Sequence, residues 1–354
     1  MKTDNLKKCI ADGLRQKRYG NAAVAVWKSG RKAEVFGGNT DRYTYFDMAS
    51  CGKVLVTTPL ILKAIGEKKI SLQSELKDFF DVGNEMKGKI TVEQLLTHTS
   101  GIVRNAISPE IGAAGRGAVA KHILDEPLAF TPGSEVRYSC NGMILLGYIA
   151  EIVFGEPLDG LFERYIKKPL KLERSKFNIA IDEPNAADCF ERENVGKLRV
   201  DDINVYNMGG VAGSGASFWC LADVETFMES VMKKSGAVYD PDLYAVAERN
   251  YTSGCVRTAS YEDRGLGWME VRETPTDTGD LFPRNGGTFG HTGWTGVSVF
   301  FNRTLDMYAV VLTNATRFNN IKSGFKGFDF MDTHRARRDV MNAIKADLSE
   351  GYPD

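Results

Sequence analysis

The stretch FDMASCGKVLVTTPL occupies residues 46–60, and its reading decides the fold. A short apolar segment (Tyr45, Phe46, Met48) runs into Ser50, and an apolar helical pattern, Lys53–Glu67, follows. A serine at that junction feels the positive end of the helix dipole, which favours a developing alkoxide. Lys53 lies three residues on, so its amine shares a helix face with the hydroxyl. Val54, Leu55, Leu60, Ile61 and Ile65 are apolar enough to bury the helix. A lysine buried there is expected to shift toward neutrality and to accept the serine proton. The competing account is an N-cap serine followed by a surface lysine. The S-x-x-K spacing does not choose between them, because it occurs five times: Ser29/Lys32, Ser50/Lys53, Ser74/Lys77, Ser230/Lys233 and Ser323/Lys326. Context does: Ser29 sits in a turn, Ser74 in a polar segment, Ser230 late in a helix and Ser323 in a Gly-rich loop.

Outward from this segment, the chain ends read as strands. Ala22–Trp27 and Lys32–Phe36 are joined by a turn-rich connection, and Gly265–Val271, Gly296–Phe301 and Met307–Thr313 follow near the C-terminus. The segment 302–306 suits a hairpin loop. Amphipathic helices are expected over residues 5–18 and 333–349, the latter with Val340, Met341, Ile344 and Leu348 on one face. Between Ser50 and about residue 235 the periodicity is helical: Lys53–Glu67, a helix from Thr91 to near Gly101 with a Thr91/Gln94 capping box, Asn141–Phe154 stopped by Gly155, and Leu221–Lys234. These elements predict an α/β (α+β) fold. An antiparallel sheet is built from both chain ends (residues 1–47 and 256–354), with the terminal helices on it and a mainly helical region (48–255) inserted.

Three further segments carry chemistry. In RYSCNGMILLG (137–147), Tyr138 precedes a helix; a phenol beside an ammonium ionises more readily and can relay protons, and the plainer account is a half-buried tyrosine with a polar handle. In GTFGHTGWTGVSVFF (287–301), His291, Thr292 and Gly293 lead into a strand-like run, and the glycines let backbone approach a ligand. An N–H there, paired with that of Ser50, makes an oxyanion hole; a twisted strand bearing a surface histidine is the alternative. MGGVAGSGAS (208–217) lacks the GK[ST] ending of a phosphate loop and reads as a tight loop packed near a site. His98 reads as a helix-end structural histidine.

The net charge of −1 offers no field to attract nucleic acid or an anionic membrane. Arg335, Arg337 and Arg338 read as a solvated helix face. With no signal-peptide pattern at residues 1–20 and no stretch of about 18 apolar residues, a cytoplasmic location and six reduced cysteines are expected. No histidine or cysteine grouping suits a metal.

Together these segments resemble the serine β-lactamase and penicillin-binding-protein superfamily, in the branch of class C β-lactamases, D-alanyl-D-alanine carboxypeptidase-like proteins and related esterases. The matching pieces are the S-x-x-K at Ser50, ITVEQLLTHTSG (90–101), FTPGSEVRYS (130–139), GGVAGSGASF (209–218), GLGW (265–268) and the H-T-G strand, over about residues 20–315. The resemblance implies Ser50 as nucleophile, Lys53 as its proton acceptor and Tyr138 as proton shuttle. It implies the N–H groups of Ser50 and Trp294 as oxyanion hole, and Cys140, Asn141, His291, Thr292 and Gly293 on the substrate side, with no metal or cofactor. Two positions depart from the family pattern: Cys140 stands where the tyrosine motif usually has Asn, with Asn141 one place late, and His291 replaces the usual Lys. A histidine is mostly neutral near pH 7, so esters or small amides are the expected small-molecule substrates, with weak β-lactam turnover. A β-lactamase or D-Ala peptidase, and a catalytically weak acyl-binding or sensor module, are the alternatives. Oligomeric state is not legible.

Overall fold

Seven strands from the two ends of the chain form one antiparallel sheet. The computed structural model describes all residues except 104, 190–198, 258–262, 273–276, 318–329 and 352–354. The strands are β1 (Ala22–Lys28), β2 (Arg31–Gly37), β3 (Asp263–Arg264), β4 (Met269–Arg272), β5 (Asn285–Thr292), β6 (Ser298–Asn302) and β7 (Met307–Thr313), in the spatial order β2-β1-β7-β6-β5-β4-β3. The first hairpin thus pairs with the last strand, Ala22 opposite Thr313 and Lys28 opposite Met307.

Both faces of this sheet are covered, which explains why β7 reads as an unbroken apolar run. Val24, Val26, Ala309 and Val311 face the N-terminal helix Asp4–Arg15 and the C-terminal helix Phe330–Gly351. Ala23, Ala25, Tyr308, Val310 and Leu312 face the helical region. Val340, Met341, Ile344 and Leu348 of the C-terminal helix are all buried in the first of these layers, each contributing about 1.5–3 kcal/mol of hydrophobic stabilisation. Asn302 accepts from the Leu305 N–H at 2.9 Å and shapes the β6–β7 turn.

Some elements differ from the sequence reading. The strand expected over 265–271 begins only at Met269, because residues 265–268 form a tight bend: Gly267 has φ +74°, and a Cβ there would lie 2.0 Å from Thr58 Oγ1. His291 does not precede a strand but lies within one, β5, and the chain turns at 293–297 before β6. The helix after Thr91 stops at Leu96 once His98 enters the left-handed region with φ +59°. Its Thr91/Gln94 capping box is present.

The helix carrying Lys53 is composite: a 3₁₀ turn (Ala49–Cys51), a π segment (Lys53–Thr57), then α-helix (Thr58–Gly66). Pro59 has no N–H to return to Leu55, and the wider winding relieves the clash of its ring with that carbonyl. The other π segment, Glu163–Lys167, also ends two residues before a proline, Pro169. The window Ala49–Gly66 is long and apolar enough to cross a membrane, contrary to the sequence reading, but 72% of it is buried inside the fold. Its apolarity is that of a core helix.

Asp347 of the C-terminal helix caps the N-terminal helix. Its carboxylate accepts from the N–H groups of Asn5 and Leu6, both at 2.9 Å, supplying partners that Thr3, at the N-cap, does not. Asp347→Ala is expected to lower unfolding stability by about 1–2 kcal/mol, read as a shift in urea midpoint with unchanged slope. A midpoint equal to the parent's would show that the cap is not needed.

Candidate active site

The lysine at the centre of the site is fully buried. Lys53 Nζ donates to Ser50 Oγ at 2.9 Å, to Cys140 Sγ at 3.6 Å and, through a very short bond, to the Ser214 carbonyl. It also lies 5.1 Å from the centre of the Tyr138 ring. Tyr138 OH donates to Ser50 Oγ at 2.6 Å, and Cys140 Sγ lies 3.8 Å from the same phenol oxygen. Ser50 Oγ is therefore an acceptor for two donors.

In the other described S-x-x-K pairs the lysines engage carboxylates: Lys32 with Glu34 and Glu225, Lys77 with Glu75, and Lys233 with Glu229. Ser323/Lys326 lies outside the described residues.

The backbone around Ser50 is tightly constrained. Ala49 has φ +43°, a costly conformation for a residue with a Cβ. The Gly-rich run holds it: a Cβ on Gly215 would stand 2.2 Å from the Ala49 carbonyl oxygen, and one on Gly52 would stand 2.9 Å from Gly215 Cα. Thr57 Oγ1 donates to the Gly213 carbonyl at 2.6 Å. From the other side, Cys51 Sγ lies 3.4 Å from the His291 carbonyl oxygen. Thr295 Oγ1 donates to the Asp47 carbonyl at 2.7 Å. Gly293 packs on Met48 and Ala49 so closely that a Cβ would meet the Met48 carbonyl oxygen at 2.7 Å. The turn carrying Trp294 is thus fastened beside the segment carrying Ser50.

His98 is buried and works structurally, as its sequence context suggests. Its carbonyl accepts from Arg137 N–H at 2.9 Å and its Nδ1 from Ser139 N–H at 3.3 Å, gripping the backbone on both sides of Tyr138. The two rings lie 4.7 Å apart. Cys140 contacts both Lys53 and Tyr138, as just described. Asn141 does not join them: its amide donates to the Val103 carbonyl at 2.9 Å and to Asn105, so its side chain is turned under that loop. This departs from the substrate-side placement, because the extra residue before Asn141 rotates it away around the first helical turn. His291 is buried with Nδ1 2.7 Å from the Thr292 carbonyl oxygen, while Thr292 is half-buried and Trp294 exposed.

The charge state differs from the expectation for a buried lysine. Burial works against the Lys53 ammonium, but Cys140 and Tyr138 around it more than compensate, and its pKa is raised. Burial, with Cys140, pushes Tyr138 up to about 12 against the pull of Lys53. Burial and the charges of Arg264 and Lys53 drive both His98 and His291 well below the usual histidine range. Arg264 escaped the sequence reading: it precedes the GLGW bend, is buried, and lies 5.7 Å from the Tyr138 ring centre. No spacing rule links it to Ser50, since the sheet brings β3 to the site. Ser214 escaped too, because it contributes a backbone carbonyl.

The described residues contain no group of three or more His, Cys, Asp or Glu side chains able to hold a metal ion. All six cysteines are free thiols.

Comparison with known proteins places the chain in a family. An Escherichia coli O157:H7 protein provisionally named a D-alanyl-D-alanine carboxypeptidase is 30% identical over 307 residues, covering 77% of this chain and 69% of its own. A class C β-lactamase from Rhodobacter sphaeroides superposes with TM-score 0.74 at 16% identity, covering 97% of this chain and 99% of that one. EstCE1, described as a hydrolase with promiscuous acyltransferase activity, superposes with TM-score 0.70 at 18% identity, covering 95% and 98%. A family model described as beta-lactamase matches residues 6–323. On that match, together with the 30%-identical relative, the chain belongs to the beta-lactamase family and is a serine hydrolase of that fold.

Proposed function

We propose that this chain hydrolyses esters or small amides through an acyl-enzyme on Ser50. The observation that carries the reading is the convergence of Lys53 and Tyr138 on one oxygen, Ser50 Oγ, at 2.9 and 2.6 Å. Starting from the form of the Tyr138–Lys53 pair that has lost one proton, Ser50 Oγ attacks the substrate carbonyl carbon and its proton passes to that pair. The N–H groups of Ser50 and Trp294 hold the tetrahedral oxyanion. Collapse breaks the bond to the leaving alcohol or amine, which takes that proton. Water then attacks the acyl-enzyme, giving its proton to the same pair, and Ser50 recovers one as the acid departs. No cofactor enters these steps.

A neutral His291 where relatives of this branch usually carry Lys favours substrates without a carboxylate at that position. A second reading, cleavage of β-lactams or D-alanyl peptides, is supported by the 30%-identical relative, which is named for D-alanyl-D-alanine cleavage.

Intact-mass spectrometry after exposure to p-nitrophenyl esters and to β-lactams separates the two. An acyl adduct from esters, with rapid ester and slow nitrocefin turnover, is expected; the reverse preference selects the second reading. Ser50→Ala is expected to abolish the adduct and reduce kcat about 10⁴-fold or more. An adduct surviving in that variant would show that another residue is the nucleophile.

The proton inventory gives a pH dependence with a definite sign. Lys53 and Tyr138 are both raised and both act as donors to Ser50 at rest, so the form able to accept a proton grows as pH rises. kcat/KM should therefore climb from pH 6 into the alkaline range. It should show no inflection near 6.5, because His98 and His291 stay neutral there. A profile flat above pH 7, or one with a step of histidine character lost in His291→Asn, would contradict this assignment. Both histidines take up protons near pH 6.5 only when unfolded, so they add stability above that pH and lose it progressively as pH falls below it.

A further inference from the structure

The peptide unit between Gly293 and Trp294 is held from behind by the C-terminal helix. Arg337, expected from sequence on a solvated face, is 2% exposed. Its Nη2 donates to the Gly293 carbonyl through a very short bond, and its Nη1 donates to Asp277 Oδ1 at 2.8 Å. Asp277 is itself buried and has His334 Nδ1 2.8 Å from the same oxygen. Burial alone would raise the Asp277 pKa, but Arg337 and His334 hold it below the usual carboxylate range. The guanidinium is therefore fixed by a charged partner before it meets the carbonyl.

That carbonyl and the Trp294 N–H belong to one trans peptide plane. In such a plane the N–H points opposite to the C=O. A cation that fixes the carbonyl direction fixes the N–H direction as well, aiming it away from Arg337. It also withdraws electron density through the amide and makes the N–H a stronger donor. The turn needs outside support, because Gly293 and Gly296 (φ +109°) leave it soft. Its other fixed points are Gly293 N–H to the Val297 carbonyl at 2.8 Å, Thr295 to Asp47, and Thr313 Oγ1 to the Gly296 carbonyl at 3.0 Å. The Gly293 carbonyl also accepts the Gly296 N–H at 3.1 Å, but that bond lies within the soft turn itself, and Arg337 is the donor that reaches the carbonyl from outside it.

We propose that Arg337, anchored by Asp277, is a positioning residue for the oxyanion hole: it orients and polarises the Gly293–Trp294 peptide so that the Trp294 N–H is ready for the developing negative charge. This rests on the reading of Ser50 as nucleophile with Trp294 N–H as oxyanion donor.

The test compares p-nitrophenyl acetate with p-nitrophenyl thionoacetate, whose C=S sulfur is a poorer partner for oxyanion donors. The two share one leaving group. Arg337→Gln is expected to lower kcat on the oxygen ester roughly tenfold to a hundredfold, with KM within about twofold and a reduced preference for oxygen ester over thionoester. Arg337→Lys, which can still donate to the carbonyl, should recover part of both. Because a buried arginine is being removed, Asp277→Asn serves alongside: it keeps the guanidinium, loosens its anchor, and should shift the preference in the same direction by less. A residue needed only for folding would reduce the active fraction and leave the oxygen-to-sulfur preference at the parent value. That outcome in Arg337→Gln, or in Asp277→Asn should the former not fold, overturns the proposal. If Ser50→Ala kept turnover, the underlying reading would fall instead; an inactive Ser50→Ala beside an unaltered preference in Arg337→Gln removes this inference alone.

Discussion

A charged amine taken wholly out of water has to be met by groups that replace its hydration. Lys53 sets that demand, and much of the architecture around the site answers it. Its three hydrogen bonds reach a serine three residues away, a thiol 87 residues away and a carbonyl 161 residues away, and the face of Tyr138 closes the remaining side. The Gly-rich run, the start of the helix at Cys140 and the composite helix itself converge because the ammonium requires each of them. The same convergence places the phenol on the serine oxygen. Solvating the lysine and assembling a nucleophile are thus one structural event.

The helix that carries Ser50 and Lys53 is not a regular one, and its irregularity is of use. A 3₁₀ turn gives way to π winding over Lys53–Thr57 before α geometry begins. The strained backbone at Ala49 is the cost of that start, and it is over-determined by glycines 215 and 52 on one side and by Gly293 on the other. Each of those glycines stands where a side chain would strike backbone. The run at 208–217 therefore acts as a close-fitting wall behind the nucleophile segment.

Legibility in the sequence followed the range of the interaction. The pairing of Ser50 with Lys53 was readable, because three residues along a helix fix a distance without any tertiary knowledge. The sheet was readable too, since β1 and β7 have runs whose apolar character survives any choice of partner. Tyr138 needed the family resemblance to be singled out from an ordinary half-buried tyrosine. Ser214 had no signal, since a carbonyl carries no residue identity. Arg264 and Arg337 were hidden for a different reason: charge suggests exposure, and only a fold that delivers Asp277 or an aromatic face makes burial tolerable. Asn141 was misplaced because one residue along a helix is about a hundred degrees of rotation, enough to move a side chain from the cleft to the loop behind it. The protonation of Lys53 was misjudged for a similar reason, because burial was visible in the pattern but Cys140 and Tyr138 as its neighbours were not.

The pairing of β1 with β7 has a consequence for biosynthesis. Ala22–Lys28 is made some 280 residues before Met307–Thr313, the strand that covers its inner edge. At ordinary elongation rates that is roughly 15–60 s during which an apolar strand edge stands open. Whatever is made in that interval folds beside an uncovered strand edge, and a chain cut short before Met307 would keep a hairpin with no partner.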